Sequence, residues 1–179
     1  MKYNFVGYGS LLSHESLKQS IEDKNFRLVK VKGYKRIFNL STKKDENADV
    51  LNIKKSKTHH FNGVLFSIND KELKEIKERE DDYNLEKVDV YDFKTNKKLG
   101  KAFFVIDYIV SIDKKKKFPS KSYFIMCRQA AYNISREFGE YWDKTTYISD
   151  NESVYQWIKK HPDYDTITKK SIFRRIFRR

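Results

Sequence analysis

The chain is short of the residues that staple or interrupt a fold. Cys127 is its only cysteine in 179 residues. No intrachain disulfide can form, which fits a reducing compartment. Two prolines and six glycines break the chain rarely, as in a compact domain. No apolar run approaches the roughly 20 residues that span a bilayer. No apolar h-region follows the lysine of Met1-Lys2-Tyr3-Asn4-Phe5, so no signal peptide is read there, and the expected location is the cytoplasm.

What is present is core material and positive charge. Hydrophobic residues make up 39% and aromatics 15%, richer than a disordered chain. The length suits one domain, expected over residues 1–168, with a basic-aromatic tail at 169–179. Net charge is +13, concentrated at residues 114–117 and in the tail. Such a surface attracts anions of every kind but says nothing of fold or chemistry. The tail mixes Ile172, Phe173, Ile176 and Phe177 with four arginines. It reads as a contact for nucleic acid or an anionic membrane, or as an end that frays or packs on the domain.

Residues 5–8 read as a buried first strand, ended by Gly9-Ser10. Ser13 is a candidate cap of a short helix, with Glu15 in its first turn and Leu17 and Ile21 facing inward. Residues 27–40 alternate as one or two strands around Gly33, and residues 42–60 read as a long exposed loop. Residues 61–68 form a strong strand. Asn69 and Glu72 then open a helix with a capping box, ending near residues 80–82. Residues 85–93 and 101–110 predict a hairpin across the turn at 95–98. Pro119-Ser120 opens a helix over 121–138, and another follows over 152–160. The order does not alternate as in a doubly wound fold. It predicts an α+β class with a small, mixed, curved, barrel-like sheet and flanking helices.

Three segments carry candidate chemistry. In Tyr8-Gly9-Ser10-Leu11-Leu12, small residues after a strand let backbone N–H groups face a pocket, an arrangement suited to a carboxylate or phosphate. Leu12 excludes both a dinucleotide fingerprint and a nucleophile elbow, which need glycine there. On spacing alone the segment also reads as an ordinary βα turn. In Glu78-Arg79-Glu80-Asp81-Asp82-Tyr83, crowding and partial burial would raise the pKa of one carboxylate towards that of a neutral-pH base. The alternative is a solvated helix end. In Pro119-Ser120-Lys121-Ser122-Tyr123, the tyrosine is a ligand contact or a core aromatic. His59 and His60 are adjacent, so their side chains diverge, and no metal site is expected. Cys127 reads as an inert core thiol.

Taken in order, these motifs resemble the γ-glutamylcyclotransferase family. The Tyr-Gly-Ser loop is Tyr8-Gly9-Ser10, and Gly63-Val64-Leu65-Phe66 matches a later strand. Leu73 and Ile76 lead to Glu80, followed by Tyr83. Pro119-Ser120-Lys121-Ser122-Tyr123 and Gly139-Glu140-Tyr141-Trp142 complete the pattern. Leu11 stands where several branches have Asn, and Gln129 where a Gly is expected. The resemblance implies an enzyme that cyclises a small γ-glutamyl substrate to 5-oxoproline without cofactor or metal. Glu80 would be its acid–base group, and Tyr8, Gly9, Ser10, Leu11, Leu12, Tyr83 and Tyr123 its substrate contacts. The alternative is a catalytically silent small-ligand or macromolecule-binding protein on the same fold.

Overall fold

A computed structural model describes residues 1–12, 25–42, 45–79, 84–106, 118–149 and 151–167. The candidate helix after Ser13, residues 80–83, the lysine run at 114–117 and the tail lie outside these residues.

Strand β1, Lys2–Gly7, buries Phe5 and Val6 and runs antiparallel to β3, Asp45–Asn69, from Lys2 opposite Asn69 to Gly7 opposite Val64. The other side of β3 pairs with β2, Arg27–Thr42, in a long antiparallel hairpin. A register shift there falls at Gly33, whose φ of 85° favours glycine. The hairpin corrects the loop expected at residues 42–60, most of which is strand. Leu51, Asn52 and Ile53 are buried, while Lys54, Lys55, Lys57 and Thr58 are exposed. An antiparallel strand with a wet face is polar by composition, and its backbone is satisfied by its partner β2.

Strands β4, Asn84–Asp92, and β5, Lys98–Ile106, form the expected hairpin. Asp92 Oδ1 ties its turn by accepting from the N–H groups of Lys94 and Thr95. β5 runs parallel to β1, and β4 runs antiparallel to β2. The pairings therefore link β1, β3, β2, β4 and β5 in a ring, which bends the sheet strongly. Short strands β6, Phe118–Pro119, β7, Thr146–Ser149, and β8, Glu152–Ser153, extend it to eight strands among the described residues. The mixed α+β class with a curved sheet and flanking helices is the one expected, but the sheet is large rather than small.

Helix α1, Asp70–Arg79, begins with the capping box read from the sequence. Asn69 Oδ1 accepts from the Glu72 N–H at 3.0 Å, and Glu72 Oε2 accepts from the Asn69 N–H at 2.7 Å. The helix expected over 121–138 is two helices, α2, Lys121–Ile134, and α3, Arg136–Thr145. Ser135 breaks it: its backbone is extended, and its Oγ caps α3 by accepting from the Phe138 N–H at 3.0 Å. The helix expected over 152–160 shrinks to α4, Val154–Trp157, because Ser153 and Gln156 form a capping box inside that span.

The core joins fully buried Phe5, Phe38, Phe61, Phe104, Phe124, Phe138 and Trp142. One buried ion pair holds α2 to α3. Arg128 Nε and Nη2 donate to Asp143 at 2.9 Å, and Nη1 donates to Asp165 at 2.8 Å. Tyr132 also donates to Asp143, at 2.8 Å. Burial opposes charge on Arg128, but its bonds to Asp143 outweigh this and hold its pKa above the ordinary value. Gly139 is required beside this knot, because a Cβ there would lie 2.4 Å from the Tyr132 ring. Arg128→Leu strands the Asp143 carboxylate in the core and is expected to cost about 3–5 kcal/mol in denaturant unfolding. Arg136→Ala, which breaks only the exposed bridge to Glu140, is expected to leave the midpoint unchanged.

Candidate functional site

Strand β1 delivers the chain to a tight turn. Leu12 N–H donates to the Gly9 carbonyl at 3.0 Å, and the buried Leu11 and Leu12 side chains root the turn in the core. Close packing holds its base. A Cβ at Gly7 would meet Leu11 Cβ at 2.8 Å, and one at Gly63 would meet the Gly7 carbonyl at 2.7 Å. Tyr8 is 5% exposed. Its hydroxyl donates to the Val105 carbonyl at 2.9 Å, and its ring meets Phe61 and Phe104 edge-on.

Above this turn lies a cavity of about 40 Å³, lined by Val6, Tyr8, Gly9, Ser10, Leu11, Leu51, Val105 and Tyr123. That is room for roughly three waters, or for one small polar head group. Helix α2 brings Tyr123 to it so closely that a Cβ on Gly9 would stand 2.9 Å from the Tyr123 hydroxyl. The glycine is thus what admits the tyrosine.

Behind the turn sits Arg36, fully buried. Its Nη1 donates to the carbonyls of Tyr8 at 3.3 Å and Asn62 at 2.7 Å. Nη2 donates to Asn62 Oδ1 at 2.9 Å, and Nε to Thr146 Oγ1 at 2.8 Å. The rings of Phe61 and Trp142 lie 5.6 and 5.0 Å from its Cζ. Burial pushes its pKa down to about 9, which leaves it charged at neutral pH.

No family model matches this sequence, and no curated protein sequence does. Solved structures do match by shape. One is an uncharacterized protein from Homo sapiens, with a TM-score of 0.65 and 18% identity over 85% of this chain and 92% of that one. Another is a gamma-glutamyl cyclotransferase, with a TM-score of 0.64 and 17% identity over 89% and 99%. A third is a gamma-glutamyl cyclotransferase specific to glutathione from yeast, with a TM-score of 0.57 and 15% identity over 81% and 97%. The fold is that of the γ-glutamyl cyclotransferases.

Within this γ-glutamyl cyclotransferase fold, five of the residues singled out from the sequence share one cavity: Tyr8, Gly9, Ser10, Leu11 and Tyr123. Leu12 anchors the turn from below and does not line it. Glu80 and Tyr83 lie outside the described residues, one and four positions beyond the last residue of α1. Sequence reasoning missed Leu51 because it fell in the supposed loop. It missed Val105 and Arg36 because a strand residue's facing depends on which strands pair. Among the described residues, no three His, Cys, Asp or Glu side chains gather as metal ligands, and no helix is long and apolar enough to cross a membrane.

Cys127, one turn beyond Tyr123, is fully buried, and burial pushes its thiol up to about 12. At pH 8 only about 10⁻⁴ of it is thiolate. A disulfide reagent at pH 8 is therefore expected to react slowly with the folded protein and at the rate of a free cysteine in guanidinium. Gly9→Ala is expected to destabilise by forcing the Tyr123 hydroxyl aside. Tyr123→Phe removes the atom that the new methyl meets. A double-mutant cycle read by thermal unfolding is expected to show about 1 kcal/mol of coupling that relieves the Gly9→Ala cost.

Proposed function

We propose that this protein is a γ-glutamylcyclotransferase. It converts a γ-glutamyl compound, whether glutathione, a γ-glutamyl amino acid or a γ-glutamyl amine, into 5-oxoproline and the released amine. The observation that carries this reading is the shared cavity. Tyr8 to Leu11 and Tyr123, more than a hundred positions apart, line one space in a γ-glutamyl cyclotransferase fold.

The chemistry suits residues of these types. The substrate's α-amine nitrogen attacks its own γ-carbonyl carbon, forming the ring C–N bond. The C–N bond to the leaving amine then breaks, so no protein nucleophile is needed. Glu80 takes a proton from the α-ammonium and returns one to the departing nitrogen. The turn holds the α-carboxylate through its backbone N–H groups, and Tyr83 and Tyr123 orient the folded substrate. Arg36, bonded to the Tyr8 carbonyl behind the turn, keeps that backbone in place. The reading takes residues 1–168 as one domain, places the protein in the cytoplasm and requires no cofactor.

A second reading, a silent binding protein on the same fold, draws on the small volume of the cavity, about 40 Å³, and on Gln129. A panel of glutathione, γ-glutamyl amino acids and γ-glutamyl amines separates the two. The purified protein is expected to release 5-oxoproline from at least one compound. Glu80→Gln is expected to lower that rate by about 10² or more. Turnover kept in Glu80→Gln removes Glu80 from its role. No turnover on the whole panel, with tight binding of one member, selects the silent protein.

A further inference from the structure

Away from the cavity, one part of the sheet gathers cations without acids. Lys30 and Lys32 of β2 stand beside His60 of β3, and Lys32 is the register partner of His60. Lys30 lies opposite Tyr91 of β4. Aromatic rings separate the charges. Lys30 Nζ is 5.0 Å from the Tyr141 ring centre, and Lys32 Nζ is 4.1 Å from that of Tyr91. The His60 ring lies 5.7 Å from that of Tyr141. Partial burial and then Lys30, His59 and Lys32 lower the pKa of His60, as expected where cations converge.

Lys30 and Lys32, two positions apart on one face of β2, repel each other. An acid nearby would offset that repulsion, yet the surrounding acids are engaged elsewhere. Asp92 pairs with Arg27, Asp89 with Lys98, Glu86 with Lys55 and Glu140 with Arg136. Glu137, one turn before Tyr141 on α3, forms no ion pair with Lys30, Lys32 or His60. Among the described residues, no carboxylate pairs with any of the three.

We propose that this face binds a single-stranded nucleic acid. Lys30 and Lys32 engage successive phosphates, and the partly exposed edges of Tyr91 and Tyr141 meet the bases. Phosphates supply the anions that the fold withholds. Two positions along a strand separate the lysines by about 6.6 Å, a stride that suits neighbouring phosphates of an extended chain. Cations interleaved with aromatic rings are the make-up of surfaces that hold single strands. A membrane fits poorly, because Phe93 is buried and no large apolar side chain of the cluster is exposed for insertion. This site is separate from the cavity and does not depend on its chemistry.

The test is fluorescence anisotropy of the full chain with a labelled mixed-sequence single-stranded RNA, titrated over a salt series. Lys30→Gln/Lys32→Gln is compared with Lys2→Gln/Lys159→Gln, which removes the same charge from exposed positions elsewhere. The first pair is expected to weaken binding about tenfold and to flatten the slope of log K against log salt by about 1.4, two phosphates at about 0.7 each. The second pair is expected to do neither. Equal loss in both pairs overturns the proposal in favour of bulk charge. So does absence of binding at 50 mM salt, or affinity confined to anionic vesicles or an acidic peptide and lost in Lys30→Gln/Lys32→Gln. All of the altered side chains lie at the surface, and matched thermal unfolding confirms that the variants are folded.

Discussion

Arg36 has no access to water, and no carboxylate pairs with it among the described residues. A buried cation without hydrogen-bonded partners would cost several kcal/mol, so whatever surrounds it has to present oxygens in a fixed fork. Those oxygens come from the end of β1, from β3 and from β7. Two of the partners then pass the constraint on. Asn62 donates to the Phe138 carbonyl, and Thr146 donates to the Trp142 carbonyl, so α3 is drawn to the same point. The Tyr8 backbone cannot shift without unmaking part of this arrangement. The turn that lines the cavity is therefore set from behind, by a side chain that does not line it.

A second buried charge acts on the other wall. Arg128 and Asp143 lock α2 to α3, and α2 carries Tyr123 to the cavity. The two knots meet through α3, which contributes Phe138 and Trp142 to one and Asp143 to the other. Gly139 lets Tyr132 lie against the helix backbone between them. Positions that look unrelated in the chain are thus mechanically one support. The exposed ion pairs, such as Lys71 with Glu75 and Lys74 with Glu78, add little to this frame.

Much of the chain was legible where the signal is local. The Asn69–Glu72 capping box, the hairpin about residues 93–97 and the buried face around Cys127 follow from residue types at fixed spacings. Ser135 and Ser153 carried local signals as well, but each lay inside a stretch whose apolar spacing also fits an unbroken helix. The failure at residues 42–60 has a different cause. Lysine and threonine on the wet side of β3 outnumber Leu51 and Ile53 on the dry side. Only the partner strand shows that the backbone between them is paired. At the site, the Tyr8 to Leu12 turn and Tyr123 were recognisable as motifs. Leu51 and Val105 were not, because nothing in their own neighbourhoods distinguishes cavity walls from core.

The sequence by itself determined the α+β class, the strand-turn opening, the helix starts and the short list of polar residues from which a site would be drawn. These depend on propensities and spacings within a few residues. Only the tertiary structure decided that Gly9 makes room for the Tyr123 hydroxyl, that Arg36 is interior, and that Lys30, Lys32 and His60 share one face. Each of those facts depends on strand register and helix placement, where distances of a few ångströms join residues tens of positions apart. The same long-range pairing turned an apparently polar loop into the longest strand of the sheet.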